Sequence, residues 1–173
     1  MTRLSQITKS RQNPSNIESW LYNVGIKNYT INENGTVDVN GSVNLGRCDL
    51  HYIPVQFGTV NGDFNICHNR LTNLIGSPYR VNGNMICHKN SLVSLIGLPQ
   101  EIFGSLMCND NYKLTDVLKH IFHPKCTING DVNVGEIIDN NIINKYLNQQ
   151  DMLGCVEALL EVGHVRYLGG FEK

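Results

Sequence analysis

Alanine is almost missing from this chain: Ala158 is the only one in 173 residues. Alanine is the strongest helix former, and its near-absence beside 23 Asn and 16 Gly argues against a helical bundle. Charge is also scarce. Charged residues make up 17% of the chain, with a formal net charge of −1. That excludes the basic face or stripe typical of nucleic-acid binders. Arg3, Lys9 and Arg11 make the N-terminus mildly basic, which reads as a solvated tail. No apolar run approaches the ~20 residues of a membrane span, and the N-terminus has no apolar signal segment. The expectation is a soluble, cytoplasmic protein that contacts neither membrane nor nucleic acid.

Other absences narrow the chemistry. Without a secretion signal, the six cysteines (48, 67, 87, 108, 126, 155) are expected as reduced thiols. The Asn-x-Ser/Thr triplets at Asn28, Asn34 and Asn40 are then chance products of an Asn-rich chain. There is no Walker-type loop, dinucleotide fingerprint, His-Glu-x-x-His or Cys-x-x-Cys. Catalytic residues, cofactor and metal are therefore all expected to be none.

What is present is a beat. Gly41, Gly62, Gly83 and Gly104 stand 21 residues apart. Asn69 and Asn90 follow their glycines by seven residues, Leu71 and Leu92 by nine, Leu74 and Leu95 by twelve, Pro78 and Pro99 by sixteen. The turn after Gly41 places Val43, Leu45, Cys48, Leu50 and Ile53 in the same register, and that after Gly104 places Leu106, Cys108 and Asn111 before slipping by one to Leu114. Thr127–Val134 restarts the pattern at Gly130 after 26 residues. Apolar alternation at Phe64/Ile66, Met85/Cys87 and Leu106/Cys108 predicts one short strand per unit, stacked in parallel on its neighbours.

These units resemble the leucine-rich repeat, L-x-L-x-x-N/C-x-L at a period of about 20–29 residues, over residues 39–118. Phe64, Ile66, Asn69 and Leu71 fit it, as do Met85, Cys87, Asn90 and Leu92; Cys48 takes the Asn-or-Cys place. The phrasing G-x-F-x-C-x-x-N-x-L-x-x-L-x-G-x-P is similar to short leucine-rich-repeat-like proteins of large tailed bacteriophages, whose functions are generally unknown. Residues 151–163 resemble the helical tail of those proteins.

The predicted fold is α+β: a short leucine-rich-repeat-like parallel β solenoid of four to five units in one continuous domain. Residues 1–38 form an N-terminal tail, helix and hairpin cap, 39–135 the solenoid, and 136–173 a two-helix cap. Ser15 to Glu18 has capping-box spacing, Gly25 suits a helix stop, and Trp20 and Leu21 should pack on the first unit. Asn34-Gly35 suits a hairpin turn. Helices are expected near 136–148 and 151–162, with Ile138, Ile142 and Tyr146 on one stripe, Met152, Val156, Leu159 and Leu160 on another, and Gly163 as the stop.

The repeat register separates two kinds of thiol. Cys87 and Cys108 share the inward position of Ile66, whereas Cys67 and His88 share the outward position one residue later. A metal needs three or four ligands; only two are placed here, with His68 or His51 as guesses for a third, so no metal site is predicted. His120 and His123 read as a surface loop. The outward row on the concave strand face is the predicted protein-binding surface: Asn44, Asn65, Cys67, Ile86, His88, Met107 and Asn109, with Asn133 beyond. Apolar Ile86 and Met107 lie side by side within a polar rim, as in a binding patch. The leading expectation is a non-enzymatic module that binds a protein. The phage resemblance implies a host protein as the target and a role in host takeover or anti-defence. The alternative is a structural, assembly or virion protein that self-associates through a strand edge or the C-terminal helices. A catalytic or metal-dependent role at Cys67 and His88 ranks third.

Overall fold

Each repeat contains two short parallel strands rather than one. The computed structural model describes residues 14–135 and 138–162; Arg3, Lys9, Arg11 and Gly163 lie outside them. Helix α1 (Pro14–Asn23) precedes β1 (Tyr29–Ile31) and β2 (Val37–Val39). The strands then come in pairs on either side of a glycine corner: β3 (Val43–Asn44), β4 (Phe57–Val60), β5 (Phe64–Asn65), β6 (Arg80–Val81), β7 (Met85–Ile86), β8 (Glu101–Ile102) and β9 (Leu106–Met107). Helix α2 (Val117–Ile121), β10 (Thr127–Ile128), β11 (Val132–Asn133), α3 (Asn140–Leu147) and α4 (Met152–Glu161) complete the chain.

The strands make two sheets, ordered β1-β2-β4-β6-β8-β10 and β3-β5-β7-β9-β11. All pairs are parallel except the β1–β2 hairpin, whose turn contains Gly35 at φ 78°. The result is a mixed α+β fold built on a β-solenoid. Three regular turns lie between Gly41 and Gly104, and a longer fourth turn reaches Gly130. The four to five units expected from the sequence thus include only three regular turns. The extra residues of the fourth hold α2, so His120 sits on a helix, not on the expected loop, with Nε2 2.9 Å from Asp116 Oδ2.

Columns of apolar residues fill the interior. Val39, Val60, Val81, Ile102 and Ile128 line the first sheet; Val43, Phe64, Met85, Leu106 and Val132 line the second, all buried. One position further in, Leu45, Ile66, Cys87, Cys108 and Val134 form another column. The glycine corners allow backbone to lie on backbone. An added Cβ at Gly83 would fall 2.7 Å from the carbonyl carbon of Gly62, and one at Gly104 2.8 Å from that of Gly83. Beside them, Asn84 N donates to Asp63 Oδ1 (2.7 Å) and Ser105 N to Asn84 Oδ1 (2.8 Å), tying turn to turn.

The asparagines seven residues after each glycine supply the main polar ladder. Asn69 Nδ2 donates to the carbonyls of Leu45 and Ile66, both at 2.9 Å, and Oδ1 accepts from Leu50 N at 2.9 Å. Asn90 and Asn111 repeat this arrangement one and two turns on. Such bonds satisfy backbone groups that burial would otherwise strand. Cys48, which occupies the same repeat position, is exposed and does not take the asparagine's place; its Sγ lies 3.7 Å from Gly46 O.

At the N-terminal end, Ser15 lies inside α1, so it is not the outside cap of a capping box. Proline near a helix start suits its fixed φ and missing N–H. Gly25 (φ 75°) ends the helix: Ile26 N donates to Leu21 O at 2.9 Å and Gly25 N to Tyr22 O at 3.1 Å, the paired bonds of a Schellman stop. Leu21 is buried, and Trp20 meets Phe57 edge-on at 6.4 Å. At the other end, the buried stripes are shifted from expectation. Ile143 and Leu147 are the buried residues of α3, while Ile142 and Tyr146 are half-buried and Ile138 precedes the helix. In α4, Cys155, Val156 and Leu159 are buried, whereas Leu160 is exposed. No helix among the described residues is long and apolar enough to cross a membrane.

Candidate functional site

The outward row arises from strand alternation. In β5, β7 and β9 the residues Phe64, Met85 and Leu106 point into the core, leaving Asn65, Ile86 and Met107 half-buried on the opposite face. Parallel register pairs Asn44 with Asn65, Asn65 with Ile86, and Ile86 with Met107, continuing to Asn133. Ile66, Cys87 and Cys108 then turn inward, and Cys67, His88 and Asn109 return to the outer face, each half-buried. All seven residues singled out from the sequence thus belong to two adjacent columns.

Three of the amides have local duties. Asn65 Oδ1 accepts from Cys67 N at 3.0 Å, and Asn44 Oδ1 from Gly46 N at 3.1 Å. These Asx turns bend the chain after each strand, so the side-chain oxygens of that rim are already engaged. Asn109 Nδ2 donates to Asp110 Oδ2 at 2.9 Å.

The bend brings in a residue that the strand pattern left unassigned. Six residues after each corner, Arg47, His68, Lys89 and Asp110 all adopt left-handed backbone, φ 53–61° for this column and the neighbouring Asp49. This conformation places the His68 ring against that of His88, edge to face, with centroids 5.5 Å apart. Cys67 Sγ joins them: one ligand atom from each of Cys67, His68 and His88 lies within 4.8 Å of the others. His51, the other unassigned histidine, is exposed and not part of this group. The alternation rule places residues only along a strand, and His68 falls one step beyond it. A run of polar residues just before each ladder asparagine is the signal that could have marked this bend.

The cluster favours uncharged imidazoles. Desolvation, followed by the charges of Arg47, Lys89 and His88, lowers the His68 pKa, with Asp110 opposing. Desolvation and Lys89 lower that of His88, again against Asp110. His88 Nδ1 is buried and has no hydrogen-bond partner among the described residues. One inward thiol behaves differently. Cys87 is raised well above the usual thiol range by its hydrogen bond with Cys108 and by burial.

The larger apolar exposure lies elsewhere, on the return side of the turns. Ile75 and Ile96, matched at the same repeat position, are 53% and 52% exposed, and Tyr79 is 51% exposed. A cleft of about 350 Å³ near α2 is lined in part by Lys119, His120, His123 and Lys125. Neither surface was singled out in the sequence. The chain matches no protein-family model, no curated protein and no solved structure.

Proposed function

We propose that this chain is a non-enzymatic, leucine-rich-repeat-like binding module that engages a protein partner through the outward row of its repeat surface. One observation carries the reading: Ile86 and Met107 are register partners on adjacent strands, and both keep part of their apolar surface open to solvent. A small apolar centre beside polar Asn65, His88 and Asn109 has the make-up of a protein-binding patch. The phage resemblance supports a host protein as the partner and a takeover or anti-defence role, an argument by analogy. In this reading the N-terminal helix and hairpin and the C-terminal helix pair close the two ends of the solenoid.

The test is affinity capture from bacterial lysate with the wild-type chain and with the doubly substituted Ile86→Asp/Met107→Asp chain. The double substitution should release the captured partner while leaving the circular dichroism spectrum unchanged. Equal capture by both chains removes this row from consideration. The second reading is self-assembly through the C-terminal helices. It is favoured by Leu153, Leu160 and Val162, all exposed on or next to α4. A monomer at all concentrations in sedimentation velocity would count against it.

A further inference from the structure

We propose that Cys67, His68 and His88 form a binding site for one transition-metal ion of the zinc class, with three protein ligands and one open coordination position. The proposal is independent of the protein-binding reading. One thiolate and two imidazoles suit zinc and its neighbours among the later first-row metals; calcium and magnesium require oxygen ligands. Three protein ligands plus an exchangeable position make a complete tetrahedral set.

The geometry supports it. The ligand atoms lie within 4.8 Å of one another. In a tetrahedral site with bonds of about 2.0–2.3 Å, they would stand roughly 3.3–3.8 Å apart. Closing the difference takes about 1 Å of side-chain rotation on a fixed backbone. That backbone is held on several sides. His68 N donates to His88 O at 3.1 Å, Arg47 N to Cys67 O at 3.0 Å, and Cys67 N to Asn65 Oδ1 at 3.0 Å. Asn69 Nδ2 also reaches Cys67 O at 3.2 Å. A site framed this way loses little freedom on binding.

Two further features favour a ligand. His88 Nδ1, a buried donor or acceptor with no partner among the described residues, is a costly arrangement that coordination of the ring would change. Gly46 keeps the approach to the thiol clear, since a Cβ there would stand 3.3 Å from Cys67 Sγ. Arg47 and Lys89 oppose a cation; the Cys67 thiolate and Asp110 offset them. Binding displaces one proton, that of the Cys67 thiol, and forms one metal–sulfur and two metal–nitrogen bonds. Among the described residues the trio occurs once in the repeat. The positions matching Cys67 and His68 are Gly46 and Arg47 one turn earlier, His88 and Lys89 one turn later, and Asn109 and Asp110 two turns later.

Cobalt(II) titration of the full chain, reduced and freed of metal with a chelator, tests the proposal. One equivalent should produce a thiolate-to-cobalt absorption in the near ultraviolet and tetrahedral bands in the visible, both erased by one equivalent of zinc. Cys67→Ser should abolish the near-ultraviolet band, while Cys48→Ser leaves it unchanged. His88→Gln and His68→Asn should each weaken cobalt binding at least tenfold; asparagine is chosen because it tolerates left-handed backbone. A readout on the unaltered chain guards against misfolded variants: zinc should block alkylation of Cys67 but not of Cys48. The proposal is overturned if no thiolate band forms, if the band survives Cys67→Ser, or if zinc leaves Cys67 as reactive as before.

Discussion

Asn111 Oδ1 accepts the backbone N–H of Leu92 at 3.1 Å, a bond between residues one solenoid turn apart and wholly out of water. From the same side chain, Nδ2 donates to Cys108 O at 2.9 Å and to Cys87 O at 3.2 Å. Replacing Asn111 with Ala removes these three bonds at once in a dry environment, together with a longer one to Asn109 O at 3.4 Å. An unsatisfied buried polar group costs roughly 1–3 kcal/mol. Urea unfolding should therefore show a loss of about 3 kcal/mol for Asn111→Ala. Asn73→Ala removes a bond exposed to water, Ile75 N to Oδ1, and should cost about 0.5 kcal/mol or less. Similar losses for the two variants would show that the ladder does not hold the turns together.

That ladder and the core columns are legible in the sequence because each depends on a residue type fixed at a repeat position. Asn69, Asn90 and Asn111 recur because one amide, carrying both a donor and an acceptor, satisfies an N–H and carbonyls of two turns at once. The second sheet is harder to see. Strands such as Arg80–Val81 and Glu101–Ile102 are two residues long and contribute a single buried apolar residue each, Val81 and Ile102, too little for a period-two pattern. Cys67 and His88 are legible as neighbours because they share a register. His68 is not placed by the strand register, because its position depends on a left-handed turn after the strand, marked in the sequence only by the polar residues before each ladder asparagine.

The corner glycines Gly62, Gly83 and Gly104 should resist substitution for a steric reason, whereas Gly41, at φ 142° with open space around it, is constrained by its backbone conformation. A methyl group at Gly83 would meet the Gly62 carbonyl carbon at 2.7 Å and Asp63 N at 2.8 Å, and neither backbone atom can swing aside. Gly83→Ala should cost about 2 kcal/mol, within the usual range for overpacking. Gly46→Ala meets only side-chain atoms, Asn44 Oδ1 at 3.2 Å and Cys67 Sγ at 3.3 Å, and should change stability by about 0.5 kcal/mol or less. Matched thermal melts decide the point, and an unaltered melting temperature for Gly83→Ala would refute the close stacking.

The thiols should respond to alkali in a predictable direction. Burial holds Cys126 up at about 11, and burial with Asp151 nearby holds Cys155 at about 11. Below the unfolded thiol value near 9, both are protonated in folded and unfolded chains alike. Above it the folded chain binds the extra protons, so stability falls as pH rises from about 9 toward 11. A Cys126→Ala/Cys155→Ala variant should lose less stability between pH 8 and 10.5 than the wild type, as read from urea midpoints. At pH 8, iodoacetamide should modify exposed Cys48 first, with Cys87, Cys108, Cys126 and Cys155 protected until the chain unfolds.

The last strand of the second sheet ends on side chains rather than on another strand. Asn144 Oδ1 accepts from Val132 N at 2.7 Å and its Nδ2 donates to Val132 O at 3.2 Å, as the backbone of a neighbouring strand would. Asn140 extends the imitation, accepting from Val134 N at 2.8 Å and donating to Gly135 O at 3.2 Å. Helix α3 thereby occupies an edge that could otherwise pair with another chain. Asn140→Leu/Asn144→Leu keeps comparable side-chain bulk but removes the donors and acceptors, leaving the β11 backbone groups to find other partners. Sedimentation velocity should then show dimers or larger species at micromolar concentration where the wild type shows fewer. If the variant sediments as the wild type does, the two asparagines are not what keeps this edge from self-pairing, and assembly through β11 loses its support.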